Sequence, residues 1–433
     1  MSDESESRLD LDRLFAEFEK KVFPLHGTFL LGELALFAFT GLVATGVFLG
    51  MFYEPSTATV TANGDKLPAA YASVLGINNI SVGLLIRRIH HWSAHIMLAT
   101  IVVHMARVYF TGAYRKPRDI NWVLGTGLLG LTILAAFVGY LLPFDEFAVT
   151  ATGIGYQIAT SVPWIGQDLA NLVFAGPFPN PHTVPRFYTL HILLIPIALA
   201  TLIGIHVVII IKLKHTQDPG ITDRLKEQAG TVKEGLVGVP MWPEQVVMMI
   251  TVFFAYLTLV SLLAAFVPVH PVEVYGPSQP GTPPVKPDWY LLWVYGILRI
   301  MPPIDITVLG GAINARFIAG ILFPGIIGGM IASVPFVDEM LTGDRFDDPD
   351  YSNIQLPSER PGRTAIGIGA AAFFVIAGVA GYYSELGIPQ NTMRALVVFV
   401  PIVVGVIAYL TIRERFQPRR RSATMSASEE RED

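Results

Sequence analysis

The chain has 433 residues, of which 52% are hydrophobic and 15% charged, and its mean hydropathy is +0.51. Soluble chains carry about a quarter charged residues, so this composition excludes an ordinary soluble domain and points to an all-α polytopic membrane protein. A formal net charge of -5 without a basic stripe excludes nucleic-acid binding, and the absence of cysteine excludes disulfides, thiolate zinc sites, cysteine-held iron–sulfur clusters and thioether-attached haem, leaving ten histidines as the candidate metal ligands.

In chain order, residues 1–28 hold no basic, then apolar, then small-residue pattern of a secretory signal, and the leucines and phenylalanines of 9–20 fit an amphipathic helix on the cytoplasmic membrane surface. Apolar runs long enough to span a bilayer follow near 29–51, 83–108, 122–143, 188–213, 244–268, 306–335, 363–383 and 394–412. The sixth carries Arg316, which moves its start toward Asn314 if 302–313 is a loop. Arg115, Lys116 and Arg118, then Lys212, Lys214, Arg224, Lys226 and Lys233, then the arginines after 412 all fall on one side of these eight spans. The positive-inside rule makes that side cytoplasmic, with both termini inside and the loops 52–82, 144–187 and 269–305 outside. The inside loop at 338–359 is acidic, which counts little in this rule and reads as a solvated surface. Pro163 divides 145–175 into two short interfacial helices, and a Pro-rich coil leads into PDWYLLWVYGILR. The organisation is a bundle unit over 29–215, a cytoplasmic linker over 216–243, a second unit over 244–412 and a cytoplasmic tail over 413–433.

The second span contains His90, His91, His95 and His104, and the fourth contains His191 and His206. Any one of these could be a packed core histidine, but ionisable side chains inside a membrane are functional by default. At about 100° per residue, His90 and His104 differ by only about 40° in direction, whereas His91 and His95 point well away from His104. His191 and His206 differ by about 60°, a mismatch that a helix distortion near Pro196 can absorb. Both spans run in the same direction, so the histidines form two facing pairs at depths about 21 Å apart. Bis-imidazole ligation of two haems in the four-helix bundle of the first four spans fits this pattern. Zinc fits less well, because no third ligand lies at either level.

Gly32 and Gly46 in the first span, and Gly125 and Gly139 in the third, repeat the same 14-residue interval and leave room for a planar macrocycle. Glycine is also common in membrane helices for packing alone. Arg87 and Arg186 near the outer level, and Arg107 one turn beyond His104, are placed to meet propionates. Arg88 is a second such partner or an interfacial anchor.

The stretches RRIHHWSAHIMLATIVVHMARVYFTGAYRKPRDINWVLG, GYLLPFDEFA, RFYTLHILLIPIALATLIGIH and TPPVKPDWYLLWVYGILR, in this order, resemble the cytochrome b subunit of cytochrome bc complexes over nearly the whole chain. The resemblance implies a low-potential b haem on His90 and His191 and a high-potential one on His104 and His206, both non-covalent. It also implies that Pro287-Asp288-Trp289-Tyr290 is the quinol-oxidation motif, with Asp288 as proton acceptor in place of the usual Glu, and that Tyr290, Tyr140 and Tyr295 line the same pocket. The implied function is the membrane core of a quinol:cytochrome c or plastocyanin-like oxidoreductase working by a Q-cycle. The implied partners are a Rieske iron–sulfur protein, a membrane-bound c-type cytochrome, the quinone pool and a second copy of the complex, in a prokaryotic plasma membrane.

Besides Asp288, the chain departs from the family at two single positions and in an insertion of about a dozen residues at 302–313, after the quinol motif. Leu30 stands where the photosynthetic branch has the cysteine for a further haem, and Ile211 stands where mitochondrial relatives have an inner-site histidine. Glu33, His26, Lys212 and Asp223 are the remaining candidates for the inner quinone site. A dihaem membrane anchor for a dehydrogenase is the alternative reading, and a transporter without haem is a third.

Overall fold

The computed structural model describes residues 22–24, 30–62, 64–218, 232–233, 236–278, 285–343 and 353–416. The expected helix at 9–20, His26, Asp223, residues 344–352 of the acidic loop and 417–433 of the tail lie outside these residues. Among the described residues, eight helices have the length and apolarity to cross a membrane. They are α1 (Leu30–Gly50), α3 (Ser81–Phe110), α4 (Asp119–Tyr140), α7 (Thr183–Leu213), α8 (Met241–Phe266), α11 (Ala315–Thr342), α12 (Pro361–Ala380) and α13 (Gln390–Arg415). They carry rows of exposed Val, Leu, Ile and Phe on their outward faces. This is the expected arrangement when the surrounding solvent is hydrocarbon.

The connections alternate between the two ends of the bundle, and the long ones share one face. There a hairpin of β2 (Thr59–Ala62) and β3 (Asp65–Pro68) precedes α2 (Ala69–Asn78). The 145–175 loop is the expected helix pair, α5 (Glu146–Thr160) and α6 (Gly166–Phe174). Asp145 starts α5 by accepting the Ala148 amide at 2.8 Å, satisfying one of the orphan donors of a helix N-terminus. The one-turn α9 (Val272–Tyr275) and the apolar α10 (Trp289–Ile300) complete this face.

The sixth span starts at Ala315, as expected if 302–313 is a loop, rather than at 306. Residues 305–314 form a hairpin, β6 (Asp305–Val308) with β7 (Gly311–Asn314), and the Asn314 side chain accepts the Phe317 amide to begin the helix. The fold is the expected helical one, with short strand pairings here and at two further places: the 59–68 hairpin, and a three-stranded patch at the opposite end where β1 (Val22–Pro24) pairs with β5 (Leu236–Pro240), which also pairs with β4 (Val232–Lys233). Trp164, at the elbow between α5 and α6, donates to the Leu309 carbonyl at 3.1 Å and so seats the 305–314 hairpin.

Three cores position the site. One joins α4, α5, α6 and α7 and includes Tyr290 of α10. A second joins α10, α11, α12 and α13, and Gly296 lets α10 approach α12 so closely that a Cβ there would collide with the Ala377 carbonyl. The third joins α1, α3 and α8, where Ser93 and Tyr256 hydrogen-bond at 2.7 Å. Because the natural chain has no cysteine, single substitutions test the alternation directly. Asp65→Cys and Asp305→Cys should react with a membrane-impermeant thiol reagent from the same side, and Lys116→Cys only from the other.

Candidate functional site

The four ladder histidines lie on α3 and α7, which face each other across the bundle with α1 and α4 beside them. His191 donates from Nδ1 to the Ala135 carbonyl of α4 at 3.0 Å, since a carbonyl can only accept. Thr45 of α1 gives its one hydroxyl proton to the Gly41 carbonyl at 2.6 Å, so its oxygen accepts from His90 Nδ1 at 2.9 Å. Both hydrogen bonds fix the proton on Nδ1 and leave the Nε2 lone pair for a metal, the usual way a second partner orients a histidine ligand. The two ring centres are 6.1 Å apart and the planes 69° from parallel. Two metal–nitrogen bonds of about 2.0 Å plus twice roughly 1 Å from nitrogen to ring centre give about 6 Å. The pair therefore fits one iron held from both sides.

His191 reaches this position through a local change of helical winding. Residues Leu190–Leu194 form a π turn immediately before Pro196. Proline has no amide to return to the preceding turn, and the wider turn rotates His191 back toward the His206 side, resolving the 60° mismatch. At the opposite level His104 and His206 are electrostatic neighbours, and the Nδ1 atoms of both are buried without a hydrogen-bond partner among the described residues. Polar atoms in that state are costly unless a ligand uses the ring. No third metal-binding side chain joins either pair among the described residues, which disfavours zinc here.

Each of the four glycines abuts one histidine. A Cβ at Gly139 would lie 2.5 Å from His191 Cε1, at Gly46 3.3 Å from His90 Cε1, at Gly125 3.7 Å from His206 Cε1 and at Gly32 3.8 Å from His104 Cε1. Gly139 and Gly46 thus make room for the imidazoles themselves, whereas a Cβ at Gly125 or Gly32 would make only an ordinary contact with one.

A second polar cluster lies at the long-loop end. Asp288 stands at the start of α10 and accepts a hydrogen bond from Tyr290 at 3.1 Å. Burial, then the charge of Asp288 and the nearby Tyr140, push the Tyr290 phenol far above its ordinary value, so it remains a donor. His91 Nε2 is 3.9 Å from Asp288 Oδ2, and Trp289 donates to His95 Nδ1 at 3.2 Å. His270 stacks on His91 at 5.9 Å and bonds through Nε2 to Asp145 at 2.8 Å, with Asp145 fully buried. Lys286, just before the motif, pairs with Glu385 of the α12–α13 turn at 2.7 Å. Hydrogen bonds from Lys286 and Ser384 hold the Glu385 carboxyl down at about 2.

The structure brings Tyr140, Asp288 and Tyr290 together but not Tyr295. Five residues beyond Tyr290, it points about 140° away and packs on Gly381 and Arg299. Arg87 is engaged by Asn78 Oδ1 at 2.8 Å and the His270 carbonyl at 3.1 Å. Arg186 donates to the carbonyls of Asn171 and Leu172 at the end of α6. Both arginines therefore brace the loop face. Arg107 lies close to His104 and Arg118. Glu33 is half-buried in the first turn of α1, and Lys212 is exposed on α7. His95, His270 and Asp145 were not among the expected site residues. The only sequence signal for them was that His91 and His95 remain after the ladder takes its four.

Gly139→Ala forces a contact that only movement of the imidazole or of α4 can relieve, whereas Gly125→Ala adds an ordinary van der Waals contact. The first should lower the bound haem per protein far more than the second, as measured by reduced-minus-oxidised absorbance.

Residues 95–277 match the family model described as cytochrome b(N-terminal)/b6/petB. The cytochrome bc1 complex cytochrome b subunit of Streptomyces coelicolor is 36% identical over 391 residues, covering 87% of this chain and 69% of that protein. The protein of the same name from Mycobacterium leprae is 34% identical over 412 residues, covering 90% and 72%. A solved chain titled "Hyperthermophilic respiratory Complex III" superimposes with a TM-score of 0.68 at 21% identity, covering 94% of this chain and 96% of that one, which shows a shared fold. The chain is therefore a multi-pass membrane protein that belongs to the family of cytochrome b subunits of the cytochrome bc1 complex.

Proposed function

We propose that the chain is the membrane core of a quinol:cytochrome c (or plastocyanin-like) oxidoreductase that oxidises quinol at the long-loop face and reduces quinone at the opposite face in a Q-cycle. Two b-type haems, held by His90 with His191 and by His104 with His206, supply the one-electron path between the faces when bound. The observation that carries the reading is the pairing of this double ladder with the Asp288–Tyr290 cluster at the upper level, where Asp288 lies 3.9 Å from His91, the residue after His90.

A quinol must shed protons as it gives up electrons, so the pocket needs a base that can take a proton and pass it to outside water. Asp288 is that base. Tyr290, kept protonated, donates to the carboxylate and steadies it, while Tyr140 forms part of the pocket wall. Arg87 and the Lys286–Glu385 pair hold the loops that carry these groups. Arg107 is the residue best placed to meet a propionate at the lower level, and Glu33 the best candidate at the inner quinone site.

With no cysteine in the chain, an iron–sulfur acceptor and a covalently bound haem belong to partner subunits, a Rieske protein and a membrane-bound c-type cytochrome, with the complex as a homodimer. The long-loop face is outside and the termini are cytoplasmic, in a prokaryotic plasma membrane, as the Lys and Arg distribution supports. A dihaem anchor needs no base-lined pocket built from both halves of the chain, which favours the first reading.

His104→Ala should abolish the inner haem signal and spare much of the outer one; unchanged haem content would remove the ligand assignment. Asp288→Asn should slow quinol oxidation by roughly two to four orders of magnitude, the range of general base catalysis, with haem content retained. Normal turnover would remove the base.

A further inference from the structure

His95 has no part in the ladder and is not in the quinol motif, yet the structure holds it against that motif. Trp289 Nε1 can only donate, so His95 Nδ1 accepts, and the neutral ring carries its proton on Nε2. That Nε2–H has no protein acceptor among the described residues. A nitrogen of His95, a nitrogen of His91 and a carboxylate oxygen of Asp288 all lie within 4.8 Å of one another. The His91 to Asp288 separation of 3.9 Å is too long for a direct hydrogen bond. Two hydrogen bonds of about 2.8 Å meeting at a tetrahedral oxygen span about 4.6 Å. The three groups are therefore close enough for one oxygen atom to lie between a His95 nitrogen and the Asp288 carboxylate.

We propose that His95 is a substrate-binding residue of the quinol-oxidation pocket: its Nε2–H donates to the same quinol oxygen whose proton Asp288 accepts, and Trp289 positions it by fixing its tautomer. This rests on the quinol-oxidation reading above. A hydroxyl oxygen can accept from His95 and donate to Asp288 at once, so the cradle selects the reduced substrate with its proton aimed at the carboxylate. The stacked rings of His91, 5.0 Å from His95, and of Tyr290, tilted at 6.3 Å, limit the directions from which that oxygen can enter.

The test uses the native complex with its partner subunits, a short-chain naphthoquinol and a short-chain benzoquinol as probes, and haem content read in parallel. His95→Leu should raise KM for the quinol the wild type prefers by about tenfold, the order of one lost hydrogen bond, with kcat changed less and both haem signals intact. His95→Gln, which restores a donor, should recover most of the loss. Trp289→Phe, which frees the tautomer, should raise KM in the same direction. An unchanged KM in His95→Leu overturns the inference, as does stoichiometric zinc in the wild type that His95→Leu removes, since the three side chains could also hold a cation. If His95→Leu loses haem, the Trp289→Phe result decides, and an unchanged KM there overturns the inference. A haem-replete wild-type complex that oxidises neither quinol defeats the underlying functional reading instead.

Discussion

A neutral imidazole in the hydrocarbon core has one N–H and one lone pair, and each requires a partner where no water is present. The bundle answers that requirement at the upper level with two oxygens on neighbouring helices, Thr45 on α1 and Ala135 on α4. Those contacts aim both lone pairs inward, so the helices that carry no ladder histidine decide what the ladder histidines can bind. The glycines follow from the same requirement, because an imidazole held on its far side by α4 has room only if α4 offers no Cβ at 139. The π turn at 190–194 and Pro196 complete the set by bringing α7 into phase with α3.

Much of this was legible in the sequence because it is periodic. Eight apolar runs, the 14-residue interval between His90 and His104, and the matching interval of the glycines are patterns that helical geometry converts directly into depth and direction. The 60° mismatch in α7 was visible too, and the structure supplies its remedy in a winding change that no periodicity encodes. The 305–314 hairpin was hidden by its composition: Ile306, Val308 and Leu309 read as the start of an apolar span, and only pairing across Leu309-Gly310 distinguishes a hairpin from a helix. Tyr295 was grouped with Asp288 by the resemblance, although five helical residues turn it onto Arg299 and Gly381.

The polar cluster was less legible for a different reason. Asp145 and His270 are separated by 125 residues, and neither sits in a repeating pattern, so only the folded chain shows that they meet. Depth alone placed Arg87 and Arg186 as propionate partners, and the folded chain adds that both donate to carbonyls at loop ends. Where charge is scarce, a loop carbonyl competes with a cofactor for the same arginine.

The Asp145–His270 bond, with the Glu146 amide on the Gly276 carbonyl at 3.1 Å beside it, joins the first four spans to the last four at the long-loop face. The described ends of the segment between these halves lie at the other end of the bundle, where Arg118 donates to the Lys214 carbonyl and 236–240 pairs with 22–24. The pocket is thus a non-covalent interface within one polypeptide, lined by His91 and His95 from the first half and by Asp288 and Tyr290 from the second. Its integrity depends on complementarity between two surfaces, so a substitution at Asp145 or His270 would loosen it without touching a residue that lines it.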